Sequence, residues 1–252
     1  MERPRPAERP GILILGPPGA GKTTLALGLC ARFPELGHLA PRRFLLDERR
    51  RGTELATRAF ALLERQTLLP DEFFVDVASR LEREGRFRAG LIFEGLPVTL
   101  AQADMLWIAV LGDPSLTVVT LVVNVSPEVQ RVRVADRMSC EACEREGRVQ
   151  PATTSGATCP SCGHALVRRV EDAPTRLTAR LRAQQAEFVA LVRWLDARGV
   201  VAQLDGEQPA VKVLDAATAT VVQAVRSLAS TASAHGCRGG TDEGRRLRQA
   251  AG

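Results

Sequence analysis

The chain has 252 residues, 45% of them hydrophobic, with a formal net charge of +5 and six cysteines. That length and apolar share suit an ordinary globular protein with one core and an appendage, or two small cores. Residues 1–10 lack the apolar stretch of a signal peptide and no later run approaches a membrane span, so a cytoplasmic chain is expected rather than a secreted or membrane-spanning one.

The first ten residues, with three prolines and alternating charges, read as a disordered N-terminus. The apolar run Gly11-Ile12-Leu13-Ile14-Leu15 then reads as a buried strand. It leads into Gly16-Pro17-Pro18-Gly19-Ala20-Gly21-Lys22-Thr23-Thr24 and on to a helix through Leu25 and Leu29. A strand, a glycine loop and a helix in that order are the context of a phosphate-binding loop. Its glycines turn backbone N–H groups toward phosphate oxygens, and the helix N-terminus adds its positive dipole end. Lys22 reaches the β and γ phosphates, Thr23 stands at the Mg²⁺-ligating hydroxyl position, and Thr24 offers a second hydroxyl.

Residues 34–51 show poor periodicity and several arginines. Glu54 to Thr67 reads as an amphipathic helix through Leu55, Ala59, Leu62 and Leu63, and a second begins at Pro70-Asp71-Glu72. Gly90 to Phe93 is the next strand, ending at Glu94-Gly95-Leu96-Pro97, where an acid faces the ligand crevice of an open α/β sheet. Thr117 to Val125 is a strand buried on both faces. Val129 to Arg137 reads as a helix with Arg133 and Arg137 on one face.

Cys140-x2-Cys143 and Cys159-x2-Cys162 have the spacing of a structural zinc site in a reducing compartment, with two disulfides as the other reading. The polar segment between the knuckles cannot form its own core, so the metal must staple it. A nucleic-acid-binding ribbon would need aromatic and basic residues there; residues 140–162 hold no aromatic residue and nearly balanced charges. Beyond it, a long helix from about Pro174 carries Arg176 and Arg180 on one face. Gly199 to Leu204 is the last strand, Val211 to Leu228 the closing helix, and 229–252 a disordered tail. His38 and His235 have no acid or nucleophile near them in sequence and read as surface residues; Cys30 and the tryptophans read as core.

The order of these pieces resembles the adenylate kinases that carry a zinc-binding lid. The likeness rests on GPPGAGKTT, GTELATRAFALLERQTLLPDEFF, the four-cysteine spacing and RRVEDAPTRLTARL, and runs from about Gly11 to Val225. It implies an α/β P-loop kinase of residues 11–228 with a parallel sheet, a monophosphate-binding insertion at about 35–82 and a zinc lid at about 138–170. The implied partners are ATP with Mg²⁺ and a nucleoside monophosphate, AMP by default, bound by a monomer. Residue by residue, it assigns Gly16 to Thr24, Arg133, Arg137 and Gln208 to the ATP side. Lys22, Arg137, Arg169 and Arg180 surround the transferring group. Arg50, Leu68, Leu69, Glu94, Gly95, Gln102, Arg169 and Arg180 serve the acceptor.

Three departures fall on the acceptor side. The family's DGFPRT reads Glu94-Gly95-Leu96-Pro97-Val98-Thr99, so Val98 replaces an acceptor-phosphate arginine. Its STGD corresponds to Phe44-Leu45-Leu46-Asp47, with the helix after it about one turn shorter before Gly52. Glu94 for aspartate keeps the charge for a water-mediated Mg²⁺ contact one methylene farther out. The expected compensation is one of Arg42, Arg43, Arg49 or Arg51; the other outcome is an ATP-binding regulatory protein that has lost transfer.

Overall fold

A computed structural model describes residues 9–64, 69–135, 137–148, 158–168 and 187–236, with the side chains of residues 64 and 228–236 excepted. Its centre is a five-stranded, wholly parallel sheet formed by β1 (Arg9–Leu15), β2 (Gly37–Leu39), β3 (Leu91–Glu94), β4 (Leu116–Asn124) and β7 (Val200–Asp205). The spatial order is β2-β3-β1-β4-β7, which puts the first strand in the middle. The C-terminal ends of all five strands therefore share one edge, and the connections leave β1 toward opposite sides.

Alternation along the strands sorts the core into two layers. Ile12 and Ile14 of β1, with Val119, Leu121 and Val123 of β4, pack on Leu25, Ala26 and Leu29 of α1 (Lys22–Arg32) and on Ala217 and Val221 of α9 (Ala210–Gly236). Leu13 and Leu15 face the other way. They join Phe74, Val77 and Ala78 of α4 (Asp71–Arg83), Ala103 and Leu106 of α5 (Leu100–Leu106), and Leu191 and Leu195 of α8, whose described part is residues 187–196. A π-helical turn, Trp107–Leu111, extends α5, and Trp107 meets Trp194 edge to face at 5.8 Å. Ordering both faces of β1 in this way makes the sheet a rigid platform for whatever sits at its C-terminal edge.

Two excursions leave that platform. On the β2–β3 side are α2 (Pro41–Arg50), α3 (Glu54–Glu64) and α4. On the β4–β7 side, α6 (Pro127–Ala135) leads to β5 (Met138–Ser139), α7 (Glu141–Arg145) and β6 (Val167–Arg168), with β5 and β6 antiparallel. This second excursion has its own small cluster, Cys140, Ala142, Cys143, Cys159 and Leu166.

The structure corrects the sequence reading in five places. β1 begins at Arg9, whose N–H donates to the Ser115 carbonyl at 3.0 Å and whose guanidinium pairs with Asp113 at 2.8 Å. The stretch 34–51 contains β2 and α2, the latter opened by Pro41 at its first position. Phe44-Leu45-Leu46-Asp47 lie inside α2, so the segment that leaves β2 is Ala40-Pro41-Arg42-Arg43. α6 ends at Ala135, so Arg137 is not on its face with Arg133. α9 continues past Leu228 to Gly236. No helix of the described residues is long and apolar enough to cross a membrane.

Candidate active site

At the C-terminal end of β1 the chain turns through the glycine loop into α1. Gly16 has φ +144, and a Cβ there would lie 2.4 Å from the Val123 carbonyl oxygen, so only glycine lets the loop pass this close to β4. Gly21 caps α1 with φ +96 in open space, where the backbone conformation alone demands glycine. The first α-helical bond runs from Leu25 N–H to the Gly21 carbonyl, so the amides of Thr23 and Thr24 precede the intrahelical ladder at the positive end of α1. An anion fits that concentration of N–H groups.

Lys22 Nζ donates to the carbonyls of Gly16 at 2.7 Å and Pro17 at 2.9 Å, which folds its ammonium back over the loop. Pro17 also accepts from Ala20 N–H, and Ala20 is buried, whereas Thr24 is exposed. Gly95 reaches the same place from β3: its N–H donates to the Ile14 carbonyl at 2.8 Å, and a Cβ on it would stand 3.5 Å from Lys22 Cε. Arg133 arrives from α6 and donates to the Gly19 carbonyl at 3.3 Å and to the Gly206 carbonyl at 2.9 Å, tying the loop to the end of β7. Gln208 lies beyond it, with Nε2 donating to Asp205 Oδ2 at 3.0 Å.

Beside the loop, Thr23 Oγ1 donates to Glu94 Oε1. The other oxygen of Glu94 lies 3.3 Å from His38 Nε2, and both side chains are buried. His38 is thus no surface residue. It pairs in register with Ile92 across β2 and β3, and Glu94, two residues on, is its diagonal neighbour on the same face. Burial alone would lower the imidazole's pKa, but contacts with Cys30 and Glu94 outweigh it and raise the group to about 9. Burial likewise favours a protonated Glu94, yet the contact with His38 and the hydrogen bond from Thr23, with the Lys22 charge nearby, hold its carboxyl below the ordinary carboxylate range. The site therefore keeps a buried carboxylate next to a hydroxyl from the first turn of α1, a donor set suited to a hydrated Mg²⁺. The missed signal was β2 itself, since three residues, Gly-His-Leu, give too little alternation to read.

The acceptor-side candidates are more dispersed. Gln102 is buried, with Oε1 accepting from Val98 N–H at 2.8 Å and Nε2 donating to the Asp71 carbonyl at 3.4 Å. Leu69 packs at the border of the core below α4. Arg50 is exposed and pairs with Asp47 at 3.1 Å. Leu68, Arg169 and Arg180 lie outside the described residues.

The thiols of Cys140, Cys143, Cys159 and Cys162 all lie within 4.8 Å of one another, the closest pairs at 3.4, 3.5 and 3.7 Å. Zn–S bonds of about 2.3 Å give a tetrahedron with edges of about 3.8 Å, so the spacing fits that ion and is far from a disulfide. Burial pushes the Cys143 thiol up to about 12, while a backbone hydrogen bond from His164 brings Cys162 down to about 6. A dication would let all four ionise together. His164 is exposed, its ring nitrogen 3.3 Å from the Cys162 carbonyl, outside the thiol cluster.

Comparison with known proteins bears on this arrangement. An adenylate kinase of Syntrophomonas wolfei is 30% identical over 203 residues, which span 78% of this chain and 92% of that protein. The chain belongs to the adenylate kinase family. Adenylate kinases of Alkaliphilus oremlandii, 29% identical over 201 residues, and Lachnospira eligens, 28% over 200, cover 78% and 79% of the chain and 91% and 93% of their own lengths. No protein-family model matches. Membership in the adenylate kinase family makes the chain an ATP-dependent nucleoside monophosphate kinase, built on a parallel P-loop sheet with a cysteine cluster able to hold a metal.

Proposed function

We propose that the protein moves the γ-phosphoryl group of ATP to AMP by in-line transfer. The observation that carries this reading is the convergence of Lys22, the first-turn amides of α1 and the Thr23–Glu94 pair at one end of the sheet. Phosphoryl transfer asks a protein for positioned positive charge and exclusion of water, with little covalent chemistry. Lys22 exchanges its two loop carbonyls for β and γ oxygens, and the helix amides take the remaining charge. Thr23 with Glu94 would hold the Mg²⁺ that accompanies ATP, and that ion would supply neutralisation of phosphate charge. His38 keeps Glu94 ionised for that task. Arg133 braces the loop, the cysteine excursion acts as the lid with Arg137 at its base, and the family likeness gives Arg169 and Arg180 to the transferring group.

On the acceptor side, Gln102 reads the base by releasing Val98 or Asp71, and Leu69 lines the pocket. With Val98 standing where the family places an acceptor-phosphate arginine, the acceptor phosphate falls to Arg50 or Arg51, both exposed at the end of α2. A regulatory ATP-binding role is the second reading. It is favoured by the engagement of Arg42, Arg43 and Arg49 with the cysteine excursion, away from any acceptor.

ADP formation with ATP and Mg²⁺, measured across AMP, CMP, UMP, GMP, dAMP and no acceptor, separates the two. Turnover that needs one acceptor and falls on the order of 10²–10³-fold in Lys22→Ala supports the kinase. ATP binding with no acceptor-dependent turnover moves the conclusion to the regulatory role.

A further inference from the structure

The two excursions leave the sheet on opposite sides of β1, yet they touch: α2 packs on α7. Arg42 and Arg49 are seven residues apart, two helical turns, and so share a face of α2; Glu141 and Glu144 are three apart and share a face of α7. These stripes meet. Arg42 Nε donates to Glu144 at 3.0 Å, a second Arg42 nitrogen lies 3.9 Å from Glu141, and Arg49 pairs with Glu141. Arg43 Nε donates to the Arg145 carbonyl at 3.2 Å, at the negative end of α7. Only 8% of the Glu144 side chain is exposed, which separates this contact from an ordinary surface pair.

We propose that Glu141 and Glu144 are positioning residues that clasp the acceptor-side helix to the cysteine knuckle. The roof over the P-loop then opens and closes as one piece. The inference rests on the phosphotransferase reading and deepens it, because it makes acceptor affinity depend on acids carried by the ATP-side lid. It also explains why Arg42, Arg43 and Arg49 face the knuckle. Arg50 and Arg51 instead pair with Asp47 and Glu48 within and just after α2.

The test uses full-length, metal-loaded protein carrying Glu141→Gln and Glu144→Gln together, with the swap Arg42→Glu/Glu144→Arg as the rescue. Hydrogen exchange of the amides of α2, without nucleotide, reads the clasp independently of any activity. We expect a rise of about 3- to 10-fold in the double variant, the size that one or two such pairs can supply, and a smaller rise in wild type on raising salt. The acceptor KM rises by a similar factor with kcat within about twofold, and the swap restores both. Unchanged α2 exchange would overturn the proposal. So would a rise accompanied by loss of bound metal, since the acids would then merely support the knuckle. If wild type turns over no acceptor, the phosphotransferase reading fails while the exchange result still decides the clasp.

Discussion

His38 shows how one buried side chain ties three elements to the chemistry. It stands on β2, meets Glu94 of β3 and lies by Cys30 of α1, while Glu94 in turn holds Thr23 at the helix start. Its stabilising effect follows from the raised pKa: it is fully present below about 6.5 and is lost as the pH climbs toward about 9. Glu94 works in the opposite direction, contributing above its ordinary range and failing only in more acidic solution. Lys22 and Cys30 face the pair as well. Urea midpoints of wild type should therefore decline between pH 6.5 and 9, and His38→Gln should flatten that decline while lowering the midpoint near neutrality. An unchanged slope in the variant would remove His38 from the account.

At the scale of elements, the cysteine excursion and the sheet are held by different means. Among the described residues, the excursion has five buried in its own cluster, three of them the cysteines Cys140, Cys143 and Cys159, whereas the sheet is filled from both faces. Chelation, or Cys143→Ser, should raise proteolysis and hydrogen exchange across residues 138–148 and 158–168 and leave the far-UV signal of the sheet domain in place. Loss of the whole fold would show that the metal supports more than its own excursion. The same contrast explains what could be read in advance. β1, β3 and β4 were legible because burial on both faces writes continuous apolar runs, and the glycine loop because its geometry restricts the residues that fit. α2 was not, because its polar residues are chosen by a partner, α7, about a hundred positions away. The end of α6 before Arg137 and the strand holding His38 were missed for want of periodicity in short segments.

For the molecule as a whole, ligand and fold should be coupled through the loop, since Gly16, Lys22, Gly95 and Arg133 join β1, α1, β3 and α6 at one point. ATP·Mg²⁺ at about 100 times its dissociation constant should stabilise the native state by about 2.7 kcal/mol. For a chain of this size that raises the unfolding midpoint by about 5–11 °C. Calorimetry with and without nucleotide checks it, and Lys22→Ala should lose most of the shift. The central place of β1 has another consequence, in time. Arg9 to Leu15 is made early, but its partners in β3 and β4 lie about eighty and a hundred residues downstream. At a synthesis rate of about 5–20 residues per second, the strand waits several seconds to about twenty for both neighbours. During that interval the nascent chain carries an apolar strand with two open edges, a target for chaperones at the ribosome and the place where misassembly would begin.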